Sequence, residues 1–184
     1  MPIGSYSAYG QVIRGMLATN PGSVLDLGVG FGMNGAAVRN WLDLGTKEAH
    51  GGKWRVRLEG VEIFEKYKNP MWGIYDKVHI TDIREFIDKD VKFDLVVMTD
   101  VIEHFTKEEG TQILNRLKEI AAKAVMVSTP AIWIEQGAAY GNEAETHRSM
   151  WSCQDFRQLG YGVIMDGSLD AFGHKMILVD HIVR

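Results

Sequence analysis

The segment VLDLGVGFGMNG, residues 24–35, limits what this chain can fold into more than any other. Val24, Leu25 and Leu27 around Asp26 read as a short buried strand. Gly28, Gly30 and Gly32 follow at alternate positions and mark a turn. Met33 then starts a helical pattern. A strand that ends in a glycine turn and feeds a helix presents backbone N–H groups and a helix N-terminus to a ligand. The ligand then lies at the carboxyl end of a parallel strand.

The rest of the chain extends this unit. Tyr9, Val12, Ile13, Met16 and Leu17 recur at helical spacing, which predicts a leading helix over residues 5–19, ended by Asn20-Pro21-Gly22. Tyr6, Tyr9 and Gln11 on this helix would either pack or form a lid. Ser23–Leu27 is the first strand, and a helix runs from Met33 to Leu44. Residues 45–53 are polar and glycine-rich, hence a surface loop. Arg55–Val61 and Ile74–Ile80 read as strands. FDLVVMT, residues 93–99, is a nearly continuous apolar run, as expected of a strand covered on both faces. Thr106 and Glu109 form a capping box for a helix striped by Ile113, Leu114, Leu117, Ile120 and Ala121. Ala124–Ser128 is a strand stopped by Pro130, and residues 131–150 form a long loop of the kind that is more often functional than idle. A short helix at Gln154–Leu159, a strand at Tyr161–Met165, a turn near Gly167–Gly173 and a last strand at Lys175–Val183 complete the order.

This alternation predicts an α/β fold, a Rossmann-like, seven-stranded, mostly parallel sheet with helices on both faces. The last two strands have no helix between them and should form an antiparallel C-terminal hairpin. A chain of 184 residues with no internal repeat or linker is one domain, residues 1–184. Its net charge of −4 gives no electrostatic reason to expect nucleic acid as a partner. The single cysteine, Cys153, suits a reducing compartment. No apolar run is long enough to cross a membrane, and no signal pattern opens the chain, so a cytoplasmic location is expected.

Two ligand classes compete for the glycine turn. A dinucleotide site uses G-x-G-x-x-G, but Met33 stands where its third glycine belongs. The turn is instead D-x-G-x-G-x-G. A carboxylate at Asp26 is a poor neighbour for a pyrophosphate and a good one for an ammonium or sulfonium.

With these motifs the chain resembles the class I S-adenosylmethionine-dependent methyltransferases, from Val24 to the C-terminal hairpin. The resemblance implies S-adenosylmethionine as cofactor, S-adenosylhomocysteine as product and a small-molecule methyl acceptor. In LEGVEIFEKY, Glu62 would accept the ribose hydroxyls, with Ile63 and Phe64 near the adenine. Asp26 and Glu62 are further apart than the roughly 20 residues of the usual unit, and the loop at 45–53 accounts for much of the excess. In HITDIREF, Asp82 would accept the adenine amine and the Ile83 N–H would contact the ring; Asp82 also suits a helix N-cap. In FDLVVMTDVIEHF, Asp100 and Val101 would lie beside the methionine moiety, and Ile102 to Phe105 would face the acceptor.

Methyl transfer from a sulfonium needs proximity and orientation, and a base only where a proton must leave. His104 and His147 are the candidate catalytic residues. The Glu103-His104 pair resembles the D-x-x-E-H pattern of small-molecule methyltransferases. In that group the pair is structural in some members and near a divalent metal in some quinone-type O-methyltransferases. No metal is expected here, because adjacent helical residues do not face one another and a joint site would need a non-helical turn. His147 lies in GNEAETHRSMW, residues 141–151, with Glu143, Glu145, Arg148 and Trp151. It would assist a base, bind a carboxylate through Arg148 or cap the following helix.

No D/N-P-P-Y/F motif follows the fourth strand, which disfavours base-amino methylation. Oxygen is slightly favoured over nitrogen as acceptor. The alternatives are a non-catalytic cofactor-binding partner subunit and, less favoured, a nicotinamide dehydrogenase. A homodimer is left open.

Overall fold

The computed structural model describes residues 6–169 and 175–183. Its sheet has seven strands in the order β3-β2-β1-β4-β5-β7-β6. They span Ser23–Leu27 (β1), Arg57–Glu62 (β2), Lys77–Ile80 (β3), Phe93–Thr99 (β4), Ala121–Pro130 (β5), Gly162–Leu169 (β6) and Lys175–Ile182 (β7). The first five are parallel. β7 pairs antiparallel with both β5 and β6, so the terminal hairpin forms one edge of the sheet with β7 on its inner side.

The strands explain themselves by alternation. Leu25, Leu27, Val96, Met98, Val125 and Val127 face one core, while Val24, Leu95, Val97 and Met126 face the other. Every strand through the middle must therefore be apolar on both sides, which is why residues 93–99 read as a continuous run. Helices α1 (Tyr6–Thr19) and α2 (Met33–Val38) cover the second core through Ala8, Val12, Met16, Ala37 and Val38. Helix α1 packs along β5 and β7, and Tyr9 donates from its hydroxyl to the Met33 carbonyl at 2.7 Å. The side chain of Tyr6 lies outside the described residues.

The helix expected to run to Leu44 is a regular α-helix only to Val38. It continues as a wider turn over Arg39–Asp43, closed by Leu44 N–H to the Arg39 carbonyl. Arg39 is buried there and donates to Asp43 and to the Val56 and Ile74 carbonyls. Asp43 in turn accepts from the Arg55 and Val56 N–H groups. This paired, hydrogen-bonded ion pair ties the lead-in of β2 to the helix. The loop at 45–53 holds a helical turn, α3 (Lys47–His50), capped by Thr46. β3 begins later than expected because Pro70–Ile74 forms a single helical turn.

On the first core's side lie α4 (Ile83–Ile87), α5 (Lys107–Ile120) and α6 (Cys153–Gln158). The α5 stripe is as read, with Ile113, Leu114, Leu117 and Ile120 buried, although Ala121 already belongs to β5. The Thr106–Glu109 capping box forms on both sides. Thr106→Ala should therefore cost about 1 kcal/mol, seen as a melting temperature lower by about 3 °C. An unchanged melt would show that the cap is redundant. β5 runs through Pro130, where Met176 pairs with it, instead of stopping before it. The turn read near Gly167–Gly173 falls mostly outside the described residues.

Candidate functional site

All the carboxyl ends of β1, β2 and β4 open into one cavity of about 540 Å³. That volume lies within the roughly 300–1,000 Å³ usual for ligand pockets. Its floor is the glycine turn. Gly28, Gly30 and Gly32 all have positive φ, at 83°, 48° and 97°. At Gly28 a Cβ would also overlap the Val101 side chain. Bare backbone is thus required twice over, by conformation and by space.

Glu62 borders the turn from the end of β2. It is buried, and its two oxygens accept from the Gly30 and Phe64 N–H groups, each at 3.0 Å. Burial raises its pKa, and those hydrogen bonds hold it down in part. Each carboxylate oxygen retains a further lone pair. Gly30 is held from its other side, because Trp72 Nε1 donates to its carbonyl at 2.9 Å. Ile63 lines the cavity and is half exposed. Phe64 does not line it; its ring packs edge-on against Tyr67, 4.9 Å between centroids. Along an extended segment, successive side chains point to opposite sides.

Asp26 also departs from the simple reading. It is completely buried and lies behind the cavity wall. Its oxygens accept from Asn34 Nδ2 at 2.9 Å and the Tyr75 hydroxyl at 2.6 Å. Burial raises its pKa to about 6, against those two hydrogen bonds. Asn34, which does line the cavity, bonds Thr99 Oγ1 as well. Tyr75 also accepts from the Gly35 N–H at 3.0 Å. Asp26 thus acts on the site by fixing Asn34 and the start of α2. Sequence reasoning missed Asn34, Tyr75 and Trp72. Only Asn34, a polar residue inside the first helical turn, carried a local signal.

Asp82 and Ile83 line the cavity where expected. Asp82 caps α4 and pairs with the Arg84 guanidinium through both oxygens, at 3.0 and 2.6 Å. That pairing lowers its pKa. Arg84, unforeseen, lines the same wall and reaches on to Glu109.

Asp100 and Val101 line the cavity as well. Asp100 has φ 54° and accepts from Ser128 Oγ at 3.1 Å. Of Ile102 to Phe105, only His104 and Phe105 face the cavity. Ile102 is fully buried in the core, and the buried Glu103 accepts from Thr129 Oγ1 at 3.0 Å. Burial beside Asp100 pushes the Glu103 pKa well up. Burial and the neighbouring His147 lower that of His104 to about 4.

The loop after β5 folds back over this end. Arg148 and Ser149 N–H groups both donate to the Glu103 carbonyl. Arg148 reaches the His104 carbonyl at 2.8 Å, and Glu145 accepts from the Tyr67 hydroxyl at 3.0 Å. The rings of His104 and His147 come to 5.0 Å between centroids. Trp151, by contrast, is core, and α6 is capped by Ser152 with Asp155, not by His147. Among the described residues, Glu103, His104 and His147 bring ligand-type atoms within 4.8 Å of one another. Ile102–His104 is one tight helical turn followed by extended Phe105, and His147 arrives from the loop after β5.

The 3-2-1-4-5-7-6 sheet with antiparallel β7 is a Rossmann-like fold of the kind found in solved methyltransferase structures. Solved structures bear this out. The N-terminal domain of EvdMO1, solved with S-adenosylhomocysteine, superposes with a TM-score of 0.68 at 12% identity, covering 99% of this chain and 83% of that one. Magnesium protoporphyrin IX methyltransferase from Synechocystis PCC 6803, with bound S-adenosylmethionine, gives 0.60 at 16%, covering 96% and 78%. The methyltransferase domain of bacterial CtHen1 gives 0.59 at 20%, covering 95% and 97%. No protein-family model matches the chain, and no curated protein sequence does. Among the described residues, no helix is long and apolar enough to cross a membrane.

Proposed function

We propose that the chain is a methyltransferase that uses S-adenosylmethionine to methylate a small molecule, with oxygen favoured as acceptor atom. The observation that carries this reading is the shared cavity: bare glycine backbone, Glu62, Asp82 and Asp100 all border one volume at the carboxyl edge of the sheet. Similar structures solved with S-adenosylmethionine or S-adenosylhomocysteine support it.

The residues fit the cofactor. Glu62, held by two backbone N–H groups, keeps lone pairs for two ribose hydroxyls. Ile63 and Ile83 offer apolar surface for adenine, and Asp82 retains acceptor capacity beyond its Arg84 pair. Gly28, Asp100 and Val101 would flank the methionyl part. When bound, the cofactor supplies an electrophilic methyl group on a sulfonium. The protein holds that group in line with the acceptor and keeps water away. His104, Phe105 and Arg148 border the acceptor end. The paired imidazoles favour a hydroxyl, whose proton must leave, over an amine that is already a nucleophile.

Calorimetry with S-adenosylhomocysteine and with NADH tests the reading. The first should bind and the second should not; the reverse would overturn it. Glu62→Ala should weaken S-adenosylhomocysteine about twentyfold, within the roughly 1.5–3 kcal/mol of hydrogen bonds to a charged group. Undiminished affinity in a folded variant would remove the ribose role.

A further inference from the structure

We propose that a second cavity, at the amino edge of the sheet, binds a small multiply charged phosphate anion. The site is separate from the cofactor cavity and does not rest on the methyl-transfer reading.

This cavity encloses about 460 Å³ where β2, β3 and β4 begin, whereas the cofactor cavity opens at the other ends of β2 and β4. A short helix accounts for it. Residues 57, 59 and 61 of β2 share a sheet face with residues 77 and 79 of β3, by alternation and by the pairing of Glu59 with Lys77 and Val61 with His79. On that face α4, five residues long, brings Phe86 to 4.7 Å from His79 between ring centroids and ends at Ile87. Beyond it the cavity is lined by residues 89–92 of the following loop. The first residues of β2 and β3 therefore face a cavity and carry charge, where a helix-covered strand would be apolar.

The charge has one prevailing sign. Arg57, Lys77, Lys89 and Lys92 line the cavity against Glu59 and Asp90. Two cations are in excess, in a chain whose net charge is −4. Glu59 is engaged within the wall. One of its oxygens accepts from Arg57 at 2.9 Å, and the other lies 2.7 Å from His79 Nε2. Among the described residues, neither Lys77 nor Lys89 pairs with a carboxylate. Lys92 reaches the uncharged Glu119 carbonyl at 2.6 Å and so keeps its full charge.

Two of these cations are held before any ligand arrives. The Arg57 guanidinium lies 4.2 Å from the Phe93 ring centroid and donates to the Lys92 carbonyl at 2.9 Å. A guanidinium has five N–H donors, so most remain for a ligand after the bonds to Glu59 and Lys92. The Lys89 ammonium lies 5.5 Å from the Phe86 ring centroid. Groups fixed in place lose less freedom on meeting an anion. Phe86 and Phe93 are themselves almost wholly buried, so the site offers charge and donors in place of apolar surface. Donors from β2, β3 and the loop suit the several oxygens of a phosphate, and one doubly charged group neutralises the two excess charges.

The test is calorimetric titration of the full chain with inorganic pyrophosphate and, separately, with ADP. The expected result is one equivalent of pyrophosphate bound, more weakly as salt is raised. Tighter binding of ADP would assign the site to a phosphate ester, and tighter binding of pyrophosphate to the free anion; either supports it. Lys77 and Lys89 are exposed, so Lys77→Gln/Lys89→Gln should fold as wild type. It should weaken pyrophosphate about a hundredfold, at about tenfold for each charged hydrogen bond lost. Lys47→Gln/Lys53→Gln, an equal loss of charge on the exposed loop at 45–53, should leave that affinity within a fewfold of wild type. Absence of saturable binding overturns the site, as does undiminished affinity in the Lys77/Lys89 variant or an equal loss in the Lys47/Lys53 variant. Displacement of pyrophosphate by S-adenosylhomocysteine would put the anion in the cofactor cavity and overturn it as well.

Discussion

Gly28→Ala is expected to lower the stability of the chain by about 4 kcal/mol and to abolish measurable cofactor binding. Two independent costs meet at this position. With φ at 83°, a residue with a Cβ sits in the left-handed region, which costs roughly 1–2 kcal/mol. The added methyl would also overlap the Val101 side chain, which packs against the core and has little room to yield; overpacking of this kind costs typically 1–3 kcal/mol. Relief can come only by moving the turn or the Val101 segment, and both line the cavity. Denaturant unfolding and calorimetry with S-adenosylhomocysteine should therefore fail together. A variant with wild-type stability and affinity would show that the turn adapts freely, contrary to the packing described.

Asp26 should make the protein less stable as pH rises through the acidic range, opposite to the usual behaviour of a carboxylate. Its pKa is raised by burial from 3.8 to about 6, so the folded chain keeps a proton that the unfolded chain releases. Stability falls with pH wherever the folded state binds more protons. The group contributes its full effect below about pH 4 and none above about pH 6. The change is about 3 kcal/mol, at about 1.4 kcal/mol per unit. Asp26→Asn removes this titration. The stability difference between wild type and variant should shrink, or reverse, by about 2 kcal/mol between pH 4.5 and 7.5. Comparing the two proteins cancels the buried Glu103, whose pKa is raised in the same direction, while the charge of Glu62 bears on Asp26 directly and belongs to the same effect. Parallel stability curves would mean that Asp26 is ionised throughout.

Much of the fold was legible because its signals are local. A strand buried on both faces has to be apolar at every position, so residues 93–99 declared themselves. The α5 helix carried its own cap and stripe. Elements set by remote partners were not legible. The widening at Arg39–Asp43 accompanies a buried arginine bonded to residues 56 and 74. The insertion of β7 between β5 and β6 is a matter of pairing, which periodicity does not encode. In the site, Gly28, Gly30, Glu62, Ile63, Asp82, Ile83, Asp100, Val101 and His104 could be placed from the sequence because they follow strand ends. The full burial of Ile102 could not be read, since one residue along a turn decides between cavity and core.

By itself, the sequence determined the strand–glycine–helix opening, the order of elements and the acidic residues at the strand ends. Backbone conformation, capping and alternating burial are properties of neighbours in the chain. The tertiary structure alone decided that Asp26 is enclosed by Asn34 and Tyr75, and that His147 comes to face His104 beside Glu103. Those meetings depend on where a loop after β5 folds back. Packing sets that path, through Glu103's carbonyl and the N–H groups of Arg148 and Ser149.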